Sequence, residues 1–429
     1  MTTHQMYRRA TATFLALATA AALTACGTER HMGTTASGAT ASPAPSAAPA
    51  PWRGAWAASP QPPGTSTENW SAEGFTDHTL RQSVRVTTGG DRLRIELSNR
   101  YGTRPLRVGG ATVARTAAAG EGSVLPGSVR RLTFGGDGTV TIPAGGTLLS
   151  DAAALRVRPF DRVTVTLRLT GATGPATVHR VAAATSHRAE GDHLADTDGS
   201  AFAETDASWY FLTGVEVRGT SPGSRTEGAV VTFGDSITDG SGSTRDTDRR
   251  YPDVLAERLA AAGRPRAVLN HGISGNKVVR DSGPMGEKAT TRFGPDVLTE
   301  RDVTTVVVLE GINDLGATSG PEVTVDELIE GHLALIREAR AHGLRVVGAT
   351  LTPMKGSRHH TPHNEAQRDA FNHWIRTSGA YDAYIDFDRA LADPADPDRM
   401  RPAYDSGDHL HPGDAGYRAM AEAVDLDVL

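Results

Sequence analysis

Lysine is almost absent from this chain: Lys277, Lys288 and Lys355 are the only three, within a total of 44 Lys and Arg. No long run of basic residues occurs, and the formal net charge is −6. Nucleic-acid binding relies on clustered basic side chains facing phosphates, so no nucleic-acid partner is expected. Cysteine is scarcer still. Cys26 stands alone, and an intramolecular disulfide is therefore impossible. What remains is a chain of 429 residues, 38% hydrophobic, with 47 Gly and 24 Pro. That length and composition suit a globular protein of two domains with many loops and an unfolded stretch.

The first 26 residues read as a leader rather than as part of a fold. Arg8 and Arg9 supply positive charge, and Ala10 to Ala25 form an uncharged apolar run. The run is short for a membrane span but suited to a secretory signal. It ends in LTAC, Leu23 to Cys26, which resembles a bacterial lipobox; the resemblance implies lipidation of Cys26 as the new N-terminus. Residues 27–51 are rich in Ala, Pro, Ser, Thr and Gly with almost nothing to bury, the composition of a disordered tether. An extracellular location follows, as a cell-surface lipoprotein or a freely secreted protein.

Two textures divide the rest. From 52 to 220, segments such as RQSVRVTT, DRLRIELSN, VRRLTFG, GTVTIPAG and DRVTVTLRLTG alternate or run apolar between turn residues. No helical period interrupts them, which predicts an all-β, sandwich-like domain. From 225 to 429, apolar runs alternate with helical periods. AVVTF (229–233), AVLN (267–270), TTVVVLE (304–310), LRVVGAT (344–350) and YIDF (384–387) read as strands. Helices are expected over 251–263, 325–343, 364–379 and 412–425. This alternation predicts an α/β, flavodoxin-like three-layer domain built on a parallel sheet.

Ligands of doubly wound folds sit outside the carboxyl ends of the strands. Four segments fall there: Gly234-Asp235-Ser236, HGISGN with Gly272 and Gly275, GIND with Asn313 and Asp314, and SGDHLHPG with Asp408, His409 and His411. A serine becomes nucleophilic when a neutral histidine takes its proton, and that histidine needs an acceptor on its other nitrogen. Asp408 lies three residues before His411, a separation that one turn can close. A carbonyl attacked by serine becomes an oxyanion, for which the N–H groups of Ser236 and Gly275 and the side-chain amide of Asn313 are candidate donors.

GDSIT, ISGN, GIND and DHLHP, in that order, resemble the sequence blocks of the SGNH hydrolase superfamily, the GDSL esterases and lipases. The resemblance implies Ser236 as nucleophile, Gly275 and Asn313 completing the oxyanion hole with Ser236, His411 as base and Asp408 as its orienting residue. None of these five departs from the pattern. The turn around Ser236 lacks the G-x-S-x-G elbow of α/β-hydrolases. The region before 220 resembles the β-rich half of bacterial two-domain GDSL proteins.

Other residues receive plainer readings. Asp235 is expected to be a hydrogen-bonding turn residue, Gly272 to serve the backbone and His409 to lie in the loop. His359, His360 and His363 lack the spacing of a zinc motif, so no metal is expected. Trp52, Trp56 and Trp70 are expected to anchor a core rather than stack on sugars. The whole reads as an extracellular serine esterase that uses no cofactor. Its substrate would be a carboxylic ester such as an O-acetyl group on a polysaccharide, a short-chain ester or a lipid. A lipase or phospholipase-like acylhydrolase, a sugar O-acyltransferase and a non-catalytic carbohydrate-binding surface protein are the alternatives.

Overall fold

A strand covered on both faces must be apolar throughout, and Val303–Leu309 comes close to that limit. The computed structural model describes residues 50–65, 69–219, 227–316 and 322–429. The leader, Cys26 and the tether as far as residue 49 lie outside these described residues, as does the joint at 220–226. Among the described residues, no helix is long and apolar enough to cross a membrane.

Five parallel strands form the second half: β1 (Ala229–Gly234), β2 (Val268–Gly272), β3 (Val303–Leu309), β4 (Arg345–Ala349) and β5 (Ala383–Ile385). Their order across the sheet is β2-β1-β3-β4-β5, so the direction of winding reverses between β1 and β3. All of β1, and β3 from Thr305 onward, is buried. The helices are α1 (Tyr251–Ala261), α2 (Val325–Ala341), α3 (Pro362–Thr377) and α4 (Asp414–Ala423). Local chemistry starts and stops them. Thr324 and Glu327 form a reciprocal capping box at the head of α2, and Thr361 caps α3 just before Pro362. Helix α1 packs on α4, and α2 on α3.

The first half is β-rich and is dominated by two larger antiparallel sheets. One carries Arg53–Ala57, Leu212–Arg218, Arg92–Ser98 and Thr147–Leu149 in that spatial order. The other is built on Thr76–Arg85, Arg162–Ala172 and Leu106–Arg115. Ile95, Leu97 and Val215 from the first meet Leu80, Val84 and Val165 from the second in one core. This is sheet-on-sheet packing with alternate residues turned inward. Leu106–Arg115 escapes a sequence reading because Gly109 and Gly110 interrupt its alternation.

The β-rich part also covers the exposed edge of the parallel sheet. Strand Arg53–Ala57 packs beside β2. Thr87 Oγ accepts from the Val268 N–H at 3.1 Å, and Ser59 Oγ lies 2.9 Å from His271 Nδ1. An open edge of unpaired backbone groups is thereby satisfied.

Candidate active site

At the carboxyl end of β1 the chain turns directly into a four-residue helix, Ser236–Asp239. Asp235 caps it, with Oδ1 accepting the Ile237 N–H at 2.9 Å. Ser236 begins that helix and is 5% exposed. On the other side of the switch point, β3 runs into Gly311 and a second short helix, Ile312–Leu315, bearing Asn313 and Asp314. The loop after β2 supplies Gly272 to Asn276. The loop before α4 supplies Asp405 to Pro412.

These four segments converge. His411 Nε2 lies 2.8 Å from Ser236 Oγ, and His411 Nδ1 lies 2.6 Å from Asp408 Oδ2. An ionised carboxylate only accepts, so Nδ1 carries the proton and Nε2 is left to accept from the serine hydroxyl. Asp408 Oδ1 accepts the backbone N–H groups of Leu410 and His411 at 3.0 and 2.8 Å. Burial acts to raise the Asp408 pKa, but the bonds from His411 and Leu410 outweigh it and hold the carboxyl down at about 2.

His409 makes a parallel couple, with Nδ1 2.6 Å from Asp405 Oδ2, and adopts a left-handed φ of 62°. Two His–Asp pairs therefore lie in one loop, and His411 is the one that meets Ser236.

Asn313 Nδ2 donates to the Asn276 carbonyl at 3.0 Å, which ties the GIND segment to the loop carrying Gly275. Gly275 has φ +80°, and a Cβ there would stand 2.9 Å from Met285 Cγ, so the position requires glycine on both counts. Gly272 has a different reason. Its backbone approaches Asp239 so closely that a Cβ would lie 2.2 Å from the Asp239 nitrogen. Asp314 accepts the N–H groups of Val278 and Val279 at 2.8 and 3.2 Å and so secures the same loop from the other end.

Beneath Ser236 lies a buried cluster of ionisable groups that sequence reasoning did not find. Arg292, 2% exposed, donates to the Gly234 carbonyl (2.8 Å), the His271 carbonyl (2.9 Å), Asn276 Oδ1 (2.7 Å) and Asp296 Oδ2 (2.9 Å). Its guanidinium is 3.5 Å from Glu310 Oε2. Burial pushes Asp235 up to about 7, Asp314 to about 6 and Glu310 well above the usual carboxylate range. The one available signal was a lone acid, Glu310, at the end of an apolar strand.

The histidines of SRHHTPHN do not gather. His359 Nε2 accepts from Arg358 at 3.1 Å, His360 Nε2 is 4.0 Å from Glu365 Oε2, and His363 Nε2 is 2.5 Å from Glu322 Oε1. His359 packs against Gly316, where a Cβ would meet its Nδ1 at 1.9 Å. Trp56 is 5% exposed and edge-on to Trp209, Trp70 stacks on Tyr210, and the Arg94 and Arg218 guanidiniums cover Trp52.

The strand order, with serine, histidine and aspartate chained at the carboxyl edge of the sheet, defines the SGNH hydrolase fold. Residues 232–419 match the GDSL-like Lipase/Acylhydrolase family. A search of curated proteins finds no match. Among solved structures, a putative lipolytic protein of the G-D-S-L family from Desulfitobacterium hafniense is 21% identical. It covers 47% of this chain and 99% of its own, with a TM-score of 0.37. A putative acylhydrolase from Bacteroides fragilis is 19% identical over 48% of this chain and 89% of its own, at 0.37. An acetylxylan esterase from Geobacillus stearothermophilus is 22% identical over 46% and 92%, at 0.36.

Proposed function

We propose that this protein is a secreted or surface-anchored serine esterase that cleaves carboxylic esters through an acyl-serine intermediate. The observation that carries this reading is the unbroken chain from Asp408 through His411 to Ser236, at 2.6 and 2.8 Å. In the first step His411 Nε2 takes the Ser236 proton as Oγ attacks the ester carbonyl. The negative charge moves onto the carbonyl oxygen, facing the N–H groups of Ser236 and Gly275 and the Asn313 amide. Asp408 stabilises the imidazolium so formed. Collapse breaks the C–O bond, and His411 returns the proton to the departing alcohol. Water, deprotonated by His411, then attacks the acyl-serine and releases the acid.

The substrate we assign is a short-chain ester, with O-acetyl groups on carbohydrate as its extracellular form. The leader and Cys26 support this choice, because export removes cytosolic thioesters from reach. The test is Ser236→Ala against wild type on p-nitrophenyl acetate, then acetylated xylan and esters of increasing acyl length. Loss of turnover in a folded mutant is expected, with acetyl preferred and EDTA without effect. Wild-type turnover in Ser236→Ala overturns the mechanism, a preference for long chains makes the protein a lipase, and acyl transfer to an added sugar makes it a transferase. For anchoring, the exported protein should partition into detergent and Cys26→Ser should release it or block its maturation. A wholly soluble wild type with an unmodified N-terminus beyond Cys26 rules the lipid out.

A further inference from the structure

The two halves meet at a residue that the serine mechanism does not use. His179 sits in the two-residue strand Val178–His179 of the β-rich part, paired with Trp209–Tyr210. Its ring is buried, 4% exposed, and lies 5.4 Å from the Trp209 ring. Nδ1 is 3.0 Å from the Ser59 carbonyl oxygen, and Nε2 is 3.0 Å from Asp239 Oδ1. Asp239 is the last residue of the short helix that begins at Ser236. Its other oxygen, Oδ2, accepts both the N–H and the hydroxyl of Ser274, at 2.8 and 2.7 Å. Ser274 is the residue before Gly275.

The chemistry of these partners is constrained. A carbonyl oxygen only accepts, so Nδ1 carries a proton. With Asp239 as a carboxylate, Nε2 likewise donates, to Oδ1. Desolvation disfavours the imidazolium, but the Asp239 charge, the Asp239 hydrogen bond and the Ser59 carbonyl outweigh it and raise the His179 pKa; Arg250 is the opposing cation. Without His179, the Asp239 side chain, 1% exposed, would lose the donor on Oδ1 and be left with an unsatisfied buried oxygen. Nothing would then hold its carboxyl in the orientation that binds Ser274.

A second set of contacts reaches the same loop from the same side. Arg100 and Tyr101 of the β-rich part bond Glu287 Oε2 at 2.5 and 3.3 Å, and Gln61 Nε2 bonds the Pro284 carbonyl at 3.4 Å. The carbonyls of Met285 and Glu287 in turn receive Asn276 Nδ2 at 3.1 and 2.8 Å.

We propose that His179 is a positioning residue of the ester-hydrolysing site: through Asp239 it holds the Ser274–Gly275 segment in register with the Ser236 helix. The β-rich part is accordingly a component of the active site. This inference rests on the esterase reading for its kinetic consequence and on geometry alone for its structural one.

Two substitutions separate the bonds that His179 makes. A Gln side chain places its amide where Nε2 stands and keeps the donor to Asp239. An Asn amide reaches only the Nδ1 position and keeps the Ser59 contact. In the full chain, His179→Asn and His179→Ala should lower kcat on p-nitrophenyl acetate by about 10- to 100-fold with KM within about twofold. Outright removal of an oxyanion donor costs about 10²–10³, and a change confined to kcat marks a contact that matters in the transition state. His179→Gln should recover most of the rate. Hydrogen exchange over residues 272–276 should rise in His179→Asn and stay at the wild-type level in His179→Gln. Equal kcat in the Gln and Asn variants, or unchanged exchange in His179→Asn, overturns the proposal. The exchange measurement requires no turnover. If the wild type cleaves no ester, the esterase reading fails, and the exchange comparison still decides whether His179 holds the loop.

Discussion

His411 Nε2 stands 2.8 Å from Ser236 Oγ although 175 positions of sequence separate the two residues. Two elements produce that contact. The tight turn after β1 holds Ser236 at the sheet edge, and the 404–413 loop is closed on itself by Ser406 N–H to the His411 carbonyl and Gly413 N–H to the Tyr404 carbonyl, at 3.0 and 2.7 Å. Tyr417 of α4 then donates to the Ser241 carbonyl at 2.6 Å, which joins the two segments.

Replacing Asp408 by Asn tests the orienting carboxylate. The substitution keeps the size of the side chain but removes its charge and favours the wrong imidazole tautomer, so kcat should fall by up to about 10⁴-fold. The Asp408 carboxyl titrates at about 2 when folded, against about 3.9 for a free Asp. A depressed folded pKa means a contribution to stability that is complete above about pH 4 and lost as pH falls through about 2. Asp408 therefore stays ionised across the ordinary assay range. A kcat/KM profile of the wild type that loses its acid side by protonation of Asp408 near pH 4 would contradict this.

Asn313→Ala should cost about 10²–10³ in kcat, the usual effect of deleting an oxyanion donor, with little change in KM. Gly275→Ala should behave differently, because a left-handed backbone and the crowding from Met285 act on the fold as well. A loss of about 1–2 kcal/mol in urea unfolding should accompany its loss of activity. An Asn313→Ala enzyme with raised KM and normal kcat would place Asn313 in substrate binding instead.

Asp235→Asn probes the buried carboxyls. In the folded state Asp235 and Asp314 hold their protons to about 7 and about 6, whereas the unfolded chain releases them near 4. Between those values the folded state binds more protons, so stability declines as pH rises from about 4 to about 7. Asn keeps an acceptor for the Ile237 N–H and cannot ionise. The Tm difference between Asp235→Asn and wild type should therefore move in favour of the mutant over that interval, and a difference independent of pH would refute the assignment.

Arg292→Met removes the cation that bonds Gly234, His271, Asn276 and Asp296 together. It leaves Asp296 buried without its ion-pair partner, a situation that typically costs about 3–5 kcal/mol. The urea midpoint of the variant should drop sharply, or the protein should fail to accumulate. A midpoint close to wild type would mean that the buried guanidinium contributes little to stability.

The sequence alone marked the candidate nucleophile and the residues that the fold brings to it, because each lies in a short block at the end of a strand whose apolar run is self-evident. Ser236 follows VVTFGD, Asn313 follows TTVVVLEG, and Asp408 and His411 are three residues apart in one loop. Local rules reach that far: burial makes the strands apolar, and the winding of a parallel sheet puts their carboxyl ends on one edge. Tertiary structure decided the rest. Of the two His–Asp couples in 405–411, only the path of the chain turns His411 and not His409 toward Ser236. His179, 60 residues from Asp239 in the other half of the protein, carries no local pattern that marks it. The same holds for Arg292, whose partners lie as far off as Gly234. A buried charge is stable only where separate segments bring it a counter-ion and hydrogen bonds, and which segments meet is a property of the packed chain, not of any window of its sequence.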